Sequence, residues 1–152
     1  MIKLDPIATA YNSRTEIKDD YWGDTITKIV LEEHLNEESL EGIEEFSHLE
    51  IIYYFHLVEE SSIITGSRHP RNNSSLPEIG IFAQRGKNRP NRLGVTIVKL
   101  IKHEGRNLFV EGLDCLNGTP ILDIKPVMRE FLPRDTVIQP QWCEEIMRDY
   151  WK

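Results

Sequence analysis

A basic turn at residues 85–94, RGKNRPNRLG, has the residue types that bind anions. Pro90 fixes its own φ and pushes Arg89 towards an extended conformation, so the centre of the turn is stiffened. The planar guanidinium groups of Arg85, Arg89 and Arg92 match phosphate and carboxylate groups better than lysine does. The segment therefore predicts either an anion-binding loop or, on composition alone, an ordinary basic turn.

A second segment, residues 111–126 (EGLDCLNGTPILDIKP), offers the groups that an adenosine cofactor requires. Such a cofactor needs hydrogen-bond acceptors for its amino group, an apolar slot for its ring and a carboxylate or carbonyls near its sulfonium. The candidates are Asp114, Cys115, Leu116 and Asn117. The Asn-Gly pair at 117–118 is typical of a tight turn with positive φ, and Asp114 precedes it at a strand end. An Asx-type turn cap is the alternative for Asp114.

The cysteines and histidines give no metal signature. Cys115 and Cys143 lack paired spacing, so neither a disulfide framework nor a zinc site is expected, and the histidines are scattered without ligand spacing. Cys115 is interpreted as a small half-buried side chain, because no basic neighbour would activate it. His56 flanks a predicted core strand and is expected to pack, whereas His69 lies among arginines in an exposed loop and is a candidate catalytic base.

The distribution of charge is uneven. The chain has 152 residues and a net charge of −7, but residues 66–106 hold nine of the 18 lysines and arginines and only two acidic side chains. Because charge acts locally, an anionic ligand remains compatible with the acidic total. Residues 1–14 contain no uninterrupted apolar stretch, and no later window is as long as a membrane span. We therefore expect a protein of the reducing cytoplasm without membrane association.

Short β-strands are predicted along most of the chain. Residues 48–58 are apolar nearly throughout, as in a strand covered on both faces. The other predicted strands are residues 24–31 with 6–11 as their partner, 79–84, 93–101, 107–113 and 119–124. Residues 60–77 predict a long exposed loop, a length that is uncommon unless the loop is functional or disordered.

Two helices are predicted outside the strands. Asn36 is a typical cap, and the acidic residues after it favour a short helix over 36–46. A second helix begins near Pro140, with five large apolar side chains on one face: Trp142, Ile146, Met147, Tyr150 and Trp151. That face is interpreted as a docking surface for packing or dimerisation rather than as part of a cofactor site.

This order of elements predicts one mainly β domain over residues 1–152, either a barrel or a mixed sheet. It argues against alternating β-α units. The glycine-rich turn after the first strand, which usually binds an adenosine cofactor, does not occur near the N-terminus.

The two loop segments also resemble a known family. GIFAQRGKNRPNRLGVTIVKL and VEGLDCLNGTPILDIKP closely resemble the TsaA/TrmO-like family, whose best-known members are tRNA methyltransferases. EFSHLEIIYYFH and HPRNNSSLPEIGIFAQR resemble its preceding strand and loop, so the resemblance covers about residues 40–130. It implies a single-sheeted β-barrel-like domain and a homodimer with S-adenosylmethionine near the subunit interface. The implied reaction is methylation of N6 of threonylcarbamoyladenosine next to the anticodon of tRNA.

The resemblance also implies roles for individual residues. The expected cofactor contacts are Phe55, His56, Leu57, Arg85, Val95, Asp114, Cys115, Leu116 and Asn117. The expected tRNA or substrate contacts are Arg71, Arg89, Pro90, Asn91 and Arg92. Asp114 and His69 are the candidate catalytic bases.

Three positions depart from the family pattern. The usual RPNP is RPNR, the usual acid before GTP is Asn117, and an early basic segment is replaced by DDYWG at residues 19–23. These departures leave two rival functions open. One is methylation of a small anionic metabolite, and the other is RNA binding by a non-catalytic barrel.

Overall fold

The computed structural model describes residues 1–152 as a mainly β protein, which confirms the predicted fold class. Its strands are β1 (Ala8–Tyr11), β2 (Ile26–Leu31), β3 (His48–Tyr54), β4 (Ser67–Arg68), β5 (Ile79–Gly80), β6 (Leu93–Glu104), β7 (Asn107–Glu111) and β8 (Pro120–Pro126). One α-helix, α1, spans Gln141–Met147. No helix has the length and apolar character that a membrane crossing requires.

Six of the strands close into an antiparallel barrel in the order β1-β2-β7-β6-β3-β8. β1 completes the ring, because it pairs with β2 on one side and with β8 on the other, where Ala8 is opposite Ile121. β4 and β5 form a separate two-stranded sheet in the long segment between β3 and β6. The predicted pairing of residues 6–11 with 24–31 is thus confirmed.

The core fills the barrel from alternate positions of its strands. In β3, Leu49, Ile51 and Tyr53 are buried, whereas the residues between them are partly exposed. This alternation corrects the expectation that residues 48–58 form a strand covered on both faces. The strand ends at Tyr54, and a closed barrel has a single interior, so only every second side chain reaches the core.

Two predicted elements differ in the structure. Residues 36–46 form two 3₁₀ turns, Glu37–Leu40 and Ile43–Glu45, instead of one helix. Asn36 caps the first turn as predicted, but Gly42 between them has a φ of 86° and ends the helical path.

The predicted strand at 79–84 is limited to β5 and then turns. Ile81–Ala83 forms a 3₁₀ turn, because the Gln84 side chain folds back and donates to the carbonyl oxygens of Arg68 and Ile79 at 2.9 and 2.7 Å. A side chain that bonds the backbone in this way competes with a strand ladder.

Candidate functional site

A cavity of about 1110 Å³ opens at one end of the barrel. β3 and β7 end there and β6 begins there, since Tyr53 pairs with Gly94. The cavity exceeds the volume of roughly 300–1,000 Å³ that is usual for small-molecule sites. It is therefore large enough for a nucleoside cofactor together with part of a second ligand.

Eight of the nine predicted cofactor residues line this cavity: Phe55, His56, Leu57, Arg85, Val95, Asp114, Cys115 and Leu116. They come from three separate parts of the chain, namely the end of β3, the basic turn with β6, and the segment after β7. The structure thus brings the two loop segments singled out in the sequence to the same wall.

The carboxylate of Asp114 is the polar centre of the cavity. Its Oδ1 accepts hydrogen bonds from Tyr53 Oη at 3.0 Å and from Thr96 Oγ1, and its Oδ2 accepts one from Tyr150 Oη. No ion pair involves Asp114. Asp114 is therefore not the Asx-type cap that its position before a turn also allowed. Neutral hydroxyl groups fix its orientation and leave its charge available to a cationic ligand.

The tyrosine hydroxyls around Asp114 stay protonated near neutral pH and therefore act as hydrogen-bond donors. Burial, and then the nearby Asp114 carboxylate, raises the pKa of Tyr53 well above its ordinary value. The same two causes raise the pKa of Tyr150, although the guanidinium groups of Arg85 and Arg71 act in the opposite direction. Burial also raises the pKa of the Cys115 thiol to about 12, which agrees with its interpretation as a packing residue.

Basic side chains dominate the charge of the cavity wall. Six are basic and three are acidic: Lys18, Arg68, Arg71, Arg85, Lys87 and Arg89 against Asp19, Glu50 and Asp114. The wall is thus net positive in a chain whose net charge is −7. Such a concave patch of one sign attracts anions.

Several of these guanidinium groups are held by backbone carbonyls. Arg85 donates to Val95 at 2.6 Å, and Arg89 donates to Gln84 at 2.8 Å. The Nε of Arg68 is buried without a hydrogen-bond partner. Arg85 and Arg89 are therefore fixed in place without losing their charge, whereas Arg71 forms an ion pair with Asp20 at 3.1 Å.

Five predicted site residues lie outside the cavity wall: His69, Pro90, Asn91, Arg92 and Asn117. His69 donates from Nδ1 to the Leu76 carbonyl at 2.8 Å, inside its own loop. Arg92 donates to the Val58 carbonyl at 3.0 Å, and the Asn117 side chain accepts from the backbone N–H of Asn12 at 3.0 Å. The Asn117 turn has the predicted positive φ, at Gly118. Its amide nevertheless joins two chain segments and does not face the cavity.

His56 lies on the wall beside this turn. Burial lowers its pKa, and a hydrogen bond with the Tyr54 backbone offsets part of that effect. The imidazole is therefore neutral near pH 7 and able to accept a proton or a hydrogen bond.

Sequence reasoning did not identify the three hydroxyl donors of Asp114. Tyr53 looked like an ordinary core residue of an apolar strand, and Thr96 like a strand residue. Tyr150 was assigned to an apolar docking face. The only sequence signal was the position of Tyr53 two residues before Phe55, which placed it at the cavity end of β3.

The apolar face predicted near Pro140 packs against the rest of the protein, where it forms part of the cavity wall. All five of its side chains line the wall: Trp142, Ile146, Met147, Tyr150 and Trp151. We call residues 141–151 the closing segment. The backbone N–H groups of Tyr21 and Trp22 donate to the carbonyls of Asp149 and Tyr150 at 3.1 and 2.8 Å. The face therefore packs within the protein, and it does so along the wall of the candidate cofactor site.

Arg14 holds residues 19–23 in position below the closing segment. Its guanidinium carbon lies 3.6 Å from the centroid of the Trp22 ring, and it donates to the carbonyls of Tyr21 and Asp20 at 2.9 and 3.0 Å.

No group of three or more His, Cys, Asp or Glu side chains is arranged to hold a metal ion.

Comparison with known proteins identifies the family. The tRNA-methyltransferase O N-terminal domain family matches residues 7–131. The human tRNA (adenine(37)-N6)-methyltransferase is 39% identical over 104 residues, which cover 68% of this chain and 23% of that protein. A "Probable S-adenosyl-L-methionine-binding protein" of Pyrococcus abyssi is 39% identical over 109 residues, 71% of this chain and 55% of that protein.

Solved structures agree with the sequence comparison. A crystal structure of TrmO from Pseudomonas aeruginosa superposes with a TM-score of 0.70 at 26% identity, covering 90% of this chain and 61% of that chain. This chain spans less than two thirds of the length of each of these three relatives. The match over residues 7–131 confirms the resemblance of the two loop segments, and the chain belongs to the tRNA-methyltransferase O N-terminal domain family.

Proposed function

We propose that this protein is an S-adenosylmethionine-dependent methyltransferase that modifies N6 of threonylcarbamoyladenosine next to the anticodon of tRNA. The observation that carries the proposal is the cavity itself, where an unpaired carboxylate lies within a net positive wall of an acidic chain. The carboxylate suits a cationic sulfonium cofactor, and the positive wall suits a polyanionic substrate. The names of the human and Pyrococcus relatives support the two halves of this function.

The residues on the wall fit the cofactor. Phe55 and Leu57 offer apolar surface to its ring, and the Asp114 carboxylate offers a counter-charge. The other proposed contacts are His56, Arg85, Val95, Cys115 and Leu116. When bound, the cofactor supplies an electrophilic methyl group. Asn117 lies outside the wall, so it acts by holding the turn that carries Leu116.

The protein contributes orientation, charge and a proton acceptor. The N6 atom must lose its proton during attack, and a base within hydrogen-bond reach contributes about 10²–10⁴-fold. Of the two predicted bases, Asp114 lines the cavity and His69 does not. We therefore assign proton acceptance to Asp114, through Oδ2, which has one hydroxyl donor where Oδ1 has two.

The basic side chains are proposed to bind tRNA. Arg71 and Arg89 lie on the wall, and Pro90, Asn91 and Arg92 continue the same turn. Engagement of about four phosphates would give a slope of log affinity against log salt near −3 to −4.

We also propose that residues 1–152 act as one domain in a cytoplasmic homodimer. Leu57, Phe82, Leu93 and Ile97 line the cavity yet remain exposed. An exposed apolar rim supports association with a second copy beside the site.

The test is transfer of labelled methyl groups from S-adenosylmethionine to bulk tRNA that lacks the modification. We expect label in the nucleoside next to the anticodon. Cofactor binding without salt-sensitive tRNA binding would instead indicate a small anionic acceptor. Binding of tRNA without the cofactor would indicate a non-catalytic RNA-binding barrel.

A further inference from the structure

The closing segment, residues 141–151, lies outside the residues that match the family, which end at 131. It nevertheless provides a donor to the central carboxylate, because Tyr150 Oη bonds Asp114 Oδ2. Neither the family match nor the predicted cofactor contacts include a residue of this segment.

The segment is anchored to the part of the chain that departs from the family pattern. Residues 19–23, DDYWG, pair with it through the N–H groups of Tyr21 and Trp22. A Cβ atom on Gly23 would overlap the Trp151 carbonyl oxygen, so only glycine allows this approach. The Trp151 ring in turn packs beside Gly112, two residues before Asp114.

The segment forms a wall of the cavity and does not fill it. With Tyr150 bonded to Asp114, the cavity still measures about 1110 Å³. That volume is ample for a ligand of nucleoside size. An inhibitory plug would leave no such space.

We propose that Tyr150 is a positioning residue of the cofactor site, which the closing segment delivers to the Asp114 carboxylate. Its hydroxyl holds Oδ2, whereas Tyr53 and Thr96 hold Oδ1, so the carboxylate keeps one orientation towards the sulfonium. Residues 19–23 serve this arrangement as the segment onto which the closing segment docks. The inference rests on the proposed function, because it assigns Tyr150 to the same cofactor site.

The three tryptophans of the chain provide a direct readout. Trp22, Trp142 and Trp151 all line the cavity, so selectively excited tryptophan fluorescence reports on this region. Titration of the wild-type protein with S-adenosylmethionine is expected to change that fluorescence. The absence of any binding to the wild-type protein would overturn the proposed function.

The test of the inference is Tyr150→Phe, with Tyr11→Phe as matched control. Tyr11 is exposed on β1 and lies outside the cavity wall. Loss of a hydrogen bond to a charged group should weaken cofactor affinity about tenfold in Tyr150→Phe, and Tyr11→Phe should bind as wild type. Wild-type affinity in Tyr150→Phe would overturn the inference and leave the proposed function standing.

A second variant, Gly23→Ala, tests the docking without altering any cavity side chain. It should displace the closing segment, shift tryptophan emission to longer wavelength and weaken cofactor affinity, while the circular dichroism of the barrel is retained. Displacement of the segment with unchanged affinity would contradict the inference, and it would do so even if Tyr150→Phe did not fold.

Discussion

The two ends of the barrel hold their carboxylates in different ways. At the cavity end, Asp114 is bonded by the neutral hydroxyls of Tyr53, Thr96 and Tyr150. At the opposite end, where the β6–β7 hairpin turns, Glu44 lies 3.0 Å from Nδ1 of His103. We call these the cavity end and the hairpin end.

The two ends differ in whether the partner of the carboxylate neutralises its negative charge. Both ring nitrogens of His103 face acceptors, because Nε2 lies 2.7 Å from the Gly105 carbonyl oxygen. This arrangement favours the protonated imidazole, whose positive charge opposes that of Glu44, and raises the pKa of His103. The hydroxyls at the cavity end fix the orientation of Asp114 without neutralising its negative charge. A carboxylate held by neutral donors remains available to a cationic ligand, whereas one held by a cation does not.

The largest expected effect follows from removing each carboxylate in turn. Asp114→Ala removes the carboxylate acceptor of three hydroxyl donors, of which only Tyr53 keeps another acceptor, the backbone carbonyl of residue 114 at 3.2 Å. The loss should lower the free energy of unfolding by about 1–3 kcal/mol. It should also reduce affinity for S-adenosylmethionine by at least about tenfold. Glu44→Ala should change neither quantity measurably, because the Glu44 side chain is exposed. Urea unfolding and calorimetry measure both quantities.

Asp114→Asn separates the two roles of Asp114. It keeps an acceptor for the hydroxyls but removes the charge, so stability should largely return while cofactor affinity stays low. Recovery of affinity together with stability would show that the charge of Asp114 is irrelevant to binding.

An intermediate effect is expected for the lysines at the two ends. Lys87 lines the cavity, whereas Lys102 at the hairpin end lies 2.8 Å from Glu104. Lys87→Ala should reduce the magnitude of the slope of log tRNA affinity against log salt by about 1. Lys102→Ala should leave it unchanged. Binding measured over a series of salt concentrations checks this, and equal slopes for the two variants would contradict the assignment of tRNA to the cavity end.

The smallest effect concerns two histidines whose pKa values move in opposite directions. Burial places the pKa of His56 below 6.5, and the hydrogen bond with Glu44 places the pKa of His103 above 6.5. Protonation of His56 is easier in the unfolded chain, so the free energy of unfolding decreases as the pH falls below 6.5. The contribution of His103 is fully present below 6.5 and is lost as the pH rises through its raised pKa.

Nuclear magnetic resonance titration of the ring protons measures both values. In Glu44→Gln the pKa of His103 should fall back towards 6.5, while that of His56 should stay where it is. A His103 pKa that is unaffected by this substitution would remove the proposed charge cancellation at the hairpin end.

Much of the fold could be predicted from the sequence. Alternating apolar residues located the barrel strands, the Asn36 cap was recognised, and the aromatic face after Pro140 predicted α1 correctly. These features depend on neighbours within a few residues. The two errors in element type, at Gly42 and at Gln84, arose from a single φ value and a single folded-back side chain.

The centre of the site could be predicted only in part. Asp114 and most of its neighbours were found because they lie in two continuous loop segments. Tyr53, Thr96 and Tyr150 are separated from Asp114 by 61, 18 and 36 residues. Closure of the barrel brings Tyr53 and Thr96 to Asp114, and docking of the closing segment brings Tyr150. No local pattern in a sequence encodes such a convergence.

Closure of the ring by β1 also restricts how two copies could associate. Every strand of the barrel pairs with two neighbours, so no strand has one side unpaired along its whole length. A neighbouring molecule therefore finds no complete strand edge to extend, which is the route by which many open sheets dimerise or aggregate. Contact between two barrels would therefore rely chiefly on side-chain packing.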